Sequence, residues 1–253
     1  MDIYKLGKLP PDHAKLAAMP KIENYLNLST LPSIPAAFDW SMRDGVPFVY
    51  GMDGNDKYGC CPLASACHQI GTWTGQNGVE QVGTEADALD AYTRFTGFRR
   101  DDPSTDNGAN MLRVAFQWLT MPIMGRTIKS FATVDMRRPD LVAAAAYLFG
   151  GVWTGWALPT AWQGADEWTT GPSTSGKWKP ASWGYHATHL RLVSPQLYGV
   201  VSWGGLIPVT VPALGEYSDE GYVATCDDWL TNGRCPAGVD GEALAADLKL
   251  VAG

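Results

Sequence analysis

Basic residues are in short supply. Lys and Arg number 19 against 26 Asp and Glu, giving a net charge of −7 and a pI near 5.0. The basic pairs Arg99-Arg100 and Arg137-Arg138 are short. Binding nucleic-acid phosphates needs a concentrated basic face, so no nucleic-acid partner is expected. No run of about 18 apolar residues occurs, so no membrane-spanning helix is expected. The opening "MDIYKLGKLPPDHAKLAAMP" lacks an apolar signal core, and no secretory targeting is expected. Localisation is left open, with synthesis expected in the cytoplasm. The chain has no internal repeat and no low-complexity linker. Histidines are only four, at 13, 68, 186 and 189. Cysteines are five, at 60, 61, 67, 226 and 235, an odd number that does not make the disulfide framework of a small secreted fold. Cys226 and Cys235 could close one loop or stay as free thiols. Cys60, Cys61, Cys67 and His68 lack the paired spacing of a structural zinc site. The turn Asp106-Asn107-Gly108 has too few carboxylates for a calcium loop. No metal or cofactor is expected.

What is present is a globular chain of 253 residues, 45% hydrophobic, with 11 Trp, 28 Gly and 17 Pro. Residues 1–46, with "KLPP" and "TLPSIPAAFDW", read as an extended N-terminal arm, because Pro restricts itself and the residue before it. From 62, Leu63, Ala66, Cys67 and Ile70 fall at helical spacing and give one apolar stripe. A second helix starts at Thr84, with Asp87 as capping partner and Gly97 past its end. A third follows "TDNGAN", with Leu112, Ala115, Phe116 and Leu119 on one face. A fourth, "RPDLVAAAAYLFGG", ends at Gly150-Gly151. Later segments change character: "GGVWTGWAL", "HATHLRLVS", "LYGVVSWGG", "LIPVTVPAL" and "GYVATC" read as strands. A last helix is expected in "GEALAADLKLV". Helices followed by strands imply an α+β fold of two lobes with a cleft between them. The halves fall at about 47–150 and 151–253.

The candidate chemistry lies at "NDKYGCCPLA". Pro is favoured in the first turn of a helix, which puts Cys61 at a helix N-terminus. Unpaired N–H groups and the helix dipole stabilise a thiolate there. A base must then come from the few histidines. His13 is in the arm, and His68 is about 10 Å along the same helix. His186 opens a strand, and His189, three residues on, points to the other face.

These residues resemble the papain-like cysteine peptidases. Asn55 stands six residues before Cys61, at the place where that family carries an amide side chain, usually Gln. "GYHA" at 184–187 is similar to the family's histidine segment, and "VSWG" at 201–204 to the segment carrying the Asn that orients the histidine. Val201 occupies that Asn position, which leaves Ser202 as candidate orienter. The resemblance is strongest to a papain-like group of bacterial and phage genomes that shares "KLGKLP", "N-D-x-x-G-x-C" and a tail similar to "DEGYVATCDDWLTNGRCPAGVDGEALAADL". It implies a papain-like two-lobe fold. It also implies Cys61 as nucleophile, His186 as base, and an oxyanion site between the Cys61 N–H and the Asn55 amide. The substrate would be a peptide or a peptidoglycan-type amide. The alternative is a catalytically silent scaffold in a phage particle, touching neighbouring subunits through the arm or through the Trp-rich segment from Trp153 to Trp183.

Overall fold

The computed structural model describes residues 4–24, 26, 33–172 and 174–229. Cys235 and the helix expected at 241–251 lie outside them. The organising element is α2 (Cys61–Gln76), buried at every position from Cys61 to Gly75. The expected single stripe understates this. Ala64, Ser65, Ala66, Gly71 and Gly75 keep the remaining faces narrow, and a helix covered all round must be small or apolar all round. Three side chains pin it to the elements around it: Trp73 Nε1 donates to Phe149 O (2.8 Å), Gln69 Nε2 to Gly150 O (3.1 Å), and Trp153 Nε1 to Ser65 Oγ (2.6 Å).

Around α2 stand α3 (Glu85–Thr96) and α4 (Met111–Trp118). α3 is bounded as expected: Thr84 and Asp87 form a reciprocal capping box and Gly97 ends the helix at φ 81°. On α4, Phe116 is 47% exposed and not a core residue. The stripe turns instead on Met111, Leu112, Ala115 and Trp118, all buried. α5 (Pro139–Phe149) ends at Gly150, φ 74°.

The second lobe is an antiparallel sheet. It runs β4 (Ser130–Thr133), β9 (Ser218–Thr225), β5 (Val152–Leu158), β6 (Gly184–Val193), β7 (Leu197–Ser202), β8 (Gly205–Thr210). The segment "LIPVTVPAL" divides. Its first half is β8, but Pro212 sits in the first turn of a short helix, α6 (Val211–Tyr217). Pro costs little there and would break a central strand. Two apolar clusters result, one among α2, α3 and α4, the other between the sheet, α5 and α6.

Residues 1–46 are not uniformly extended. They contain α1 (His13–Ala17), β1 (Phe38–Asp39), which pairs with β6, and β2 (Met42–Arg43), which pairs with β3 (Val46–Pro47). In the Trp-rich segment, Trp153, Trp156, Trp162 and Trp168 are packed in the core, at most 4% exposed. No helix of the described residues is long and apolar enough to cross a membrane.

Candidate active site

Cys61 opens α2, with Pro62 second and Cys60 at the cap position without a side-chain capping bond. As the first helical residue it contributes an N–H that the helix itself cannot pair. Ser65 Oγ donates to Cys61 O (2.8 Å) and accepts from Trp153, so the first turn is fastened to β5. The cysteine is fully buried. Burial pushes its thiol up to about 11, while the backbone N–H groups of Ala187, Gly7 and Lys8 and the charge of Lys8 pull it down. Its neighbour Cys60 differs. There Asp106 and Asp53 add to the burial penalty and the thiol is driven well above its ordinary value. Cys60 Sγ faces Asp53 O at 3.6 Å. Of the two adjacent thiols, Cys61 has the backbone N–H groups and the Lys8 charge that favour an anion, whereas Cys60 faces Cys61, Asp106 and Asp53, which oppose one.

His186 is placed by β6, next to the Ala187 amide that points at Cys61. Its Nε2 meets Ser202 Oγ at 2.7 Å, and its ring lies on Trp203 at 4.3 Å and 13°. Nδ1 has no hydrogen-bond partner among the described residues. Burial drives the imidazole down to about 3, helped by the positive fields of His68 and Lys8. Ser202 thus touches the histidine, while Val201 is buried in the ladder opposite His189 and Leu206. Asn55 is 2% exposed in the turn before α2, and its amide oxygen has no partner among the described residues. Two of the other histidines are occupied elsewhere: His189 Nε2 meets Thr72 Oγ1 (2.9 Å), and His68 Nε2 lies 3.2 Å from Asp53 and 2.9 Å from Gly51 O.

The N-terminal residues pack against this site. Residues 4–9 run along the cleft. Tyr4 stacks on Trp203 (4.7 Å), Lys5 N donates to Asp56 O (3.2 Å), and Gly7 and Leu9 pair with Ala109 (2.8 and 2.9 Å). Gly7 passes so near Gly59 that a Cβ on it would lie 2.0 Å from the Gly59 carbonyl oxygen. Lys8 has a fully buried side chain, with Nζ 2.8 Å from Asp219 and 2.7 Å from Glu220. Asp106 supports the crossing, accepting from Gly59 N (2.9 Å) and Tyr92 OH (2.8 Å). Beside Ser202 and Trp203 a cavity of about 440 Å3 opens, walled by Trp162, Trp168 and Trp183 and reached by Tyr4. Trp203, Lys8, Asp219 and Glu220 were not singled out as site residues in the sequence, although each lies in a quoted motif: "SWG", "KLGKLP" and the tail that begins "DEGYVATC".

No family model matches the chain, and no curated protein matches it. Solved structures do. Xylellain, a cysteine protease from Xylella fastidiosa, superposes with a TM-score of 0.62 at 12% identity, covering 87% of this chain and 95% of its own. A structure from a study of the mite allergens Blo t 1 and Der p 1 gives 0.53 at 13%, covering 85% and 77%. The Carica candamarcensis cysteine protease CMS1MS2 gives 0.50 at 16%, covering 76% and 99%. The chain has the two-lobed α+β fold of the papain-like cysteine proteases.

Proposed function

We propose that the protein is a papain-like cysteine hydrolase that cleaves amide bonds in peptide or peptidoglycan-type substrates, described here in a closed state. The observations that support the reading lie on the two sides of one residue, Ala187. The thiol of Cys61 at a helix N-terminus faces the Ala187 amide, and the adjoining His186 is held by Ser202 and Trp203. With the arm withdrawn, water reaches both groups and the burial that keeps them neutral is relieved. His186 takes the Cys61 thiol proton, and Cys61 Sγ then attacks the substrate carbonyl carbon. The oxyanion is received by the Cys61 N–H and the Asn55 amide, each such donor contributing about 3 kcal/mol. His186 delivers its proton to the leaving nitrogen, and water hydrolyses the thioester with His186 as base. Ser202 does the positioning that the family's Asn performs, from the next position along the strand.

The second reading is a silent scaffold, and the complete burial of Cys61 favours it. A particle subunit that uses residues 4–9 to hold a neighbour would first have to lift them from its own cleft. A peptide-hydrolysis screen with the wild-type chain, a Lys8→Met variant and a Lys8→Met/Cys61→Ala variant separates the two. Hydrolysis that Lys8→Met raises and Cys61→Ala abolishes supports the hydrolase. No hydrolysis in any of them supports the scaffold.

A further inference from the structure

The position of Lys8 says what kind of side chain the cleft is built to take. Across the sheet, Ala187, Gly155 and Glu220 are lateral neighbours on β6, β5 and β9. Strands lie about 4.8 Å apart, so Glu220 is about 10 Å across the sheet from the amide that faces Cys61. Gly155 forms the floor between them. A Cβ there would sit 2.3 Å from Lys8 Cε and 2.6 Å from Glu220 Cγ, so the missing side chain is what leaves a channel for an aliphatic stem. Tyr185 lines it, its ring centroid 5.2 Å from Lys8 Nζ. At the end stand two carboxylates, 1% and 12% exposed, and Tyr222 donates to Glu220 from below. Both carboxylates also border an adjoining cavity of about 270 Å3 with His13, Asp135 and Arg137 on its walls, which leaves room for a side chain longer than lysine.

Two buried carboxylates side by side are unfavourable without a cation. Burial holds the Asp219 carboxyl above its ordinary range even with Lys8 present to pull it down. When the arm leaves, the acids lose their only charge partner among the described residues.

We infer that the channel over Gly155 to Asp219 and Glu220 is a specificity pocket for a cationic side chain of the substrate, of the lysine or arginine type, which Lys8 fills in the closed state. The inference rests on the hydrolase reading above. A cation bonded there contributes about 1.5–3 kcal/mol over a neutral side chain of the same length, or about 10–100-fold.

The test uses the full chain carrying Lys8→Met and three peptidyl chloromethyl ketones that differ at one residue: lysine, norleucine or glutamate. Mass spectrometry follows Cys61 alkylation, with iodoacetamide as a reagent that needs no pocket. The lysine probe is expected to label at least 10-fold faster than the norleucine probe and faster still than the glutamate probe. That ratio is expected to collapse towards one in Glu220→Gln and, through steric closure of the channel, in Gly155→Ala. Equal labelling by the lysine and norleucine probes would overturn the pocket and leave the hydrolase reading intact. Failure of iodoacetamide and all three probes to label Cys61 would overturn both.

Discussion

Lys8→Met tests whether the arm is a gate. In the closed state the ammonium is fully buried between Asp219 and Glu220, at 2.8 and 2.7 Å. Removing one partner of a buried ion pair costs about 3–5 kcal/mol. Part of that is recovered if Asp219 takes a proton, as its raised pKa favours, leaving about 2–3 kcal/mol. The penalty falls only on the closed state, because opening hydrates both carboxylates. The opening equilibrium should therefore rise about 30–150-fold. Alkylation of Cys61 reads it directly. The closed thiol is buried, and with a pKa of about 11 it is ionised in about one molecule in a thousand at pH 8, so nearly all reaction passes through the open state. Iodoacetamide labelling at pH 8, mapped to individual cysteines, should show Cys61 reacting about 30–150-fold faster in Lys8→Met than in wild type. Cys67, buried in the core of the helical lobe, is the internal control for global unfolding. An unchanged Cys61 rate would refute the gate. Parallel acceleration at Cys67 would show that the variant unfolds and would refute it equally.

Gly7→Ala, whose new Cβ would lie 2.0 Å from the Gly59 oxygen, should open the arm as well and raise Cys61 labelling at least tenfold; an unchanged rate would mean the arm does not pass where it is placed. Ser202→Ala in the Lys8→Met background should lower kcat for peptide hydrolysis by about 10–100-fold by freeing the imidazole to rotate, with Ser202→Thr restoring most of it; equal rates in all three would remove Ser202 from the site. Acid should destabilise the closed fold. His186 has a folded pKa of about 3 against 6.5 unfolded, and His189 is lowered in the same direction. The unfolded chain therefore binds protons that the native chain refuses. Stability is full above about pH 6.5 and falls towards pH 3, by up to about 5 kcal/mol from His186 alone. Urea midpoints at pH 7 and pH 4 measure this, and equal midpoints would contradict it.

What could be read in the sequence was what is local. Thr84, Asp87 and Gly97 bound a helix through bonds within a few residues, and Pro62 fixes where α2 begins. Cys61 stood out because a helix N-terminus is a local property. "LIPVTVPAL" misled because its β-branched residues favour a strand until Pro212 starts a helix. Phe116 has the spacing of a core residue, but its face of α4 is left partly open and it meets Phe131 edge-on at 5.1 Å. The acidic pocket was invisible for another reason. Lys8 and Asp219 are 211 positions apart, and nothing in "KLGKLP" or "YSDEGY" says that they meet. Ser202 was legible only as a neighbour of Val201. Strand register, set by the β6–β7 bulge between Leu190 and Leu192, decides which of the two reaches the imidazole.

The claim that Cys61 and His186 work as one unit is tested most directly by the pH dependence of Cys61 alkylation in the opened Lys8→Met chain. An activated pair should give thiolate reactivity already at pH 6, with an inflection well below the ordinary thiol value of about 8.5, and His186→Ala should return the inflection to that value. A single inflection at or above about 8.5, unmoved by His186→Ala, would contradict it.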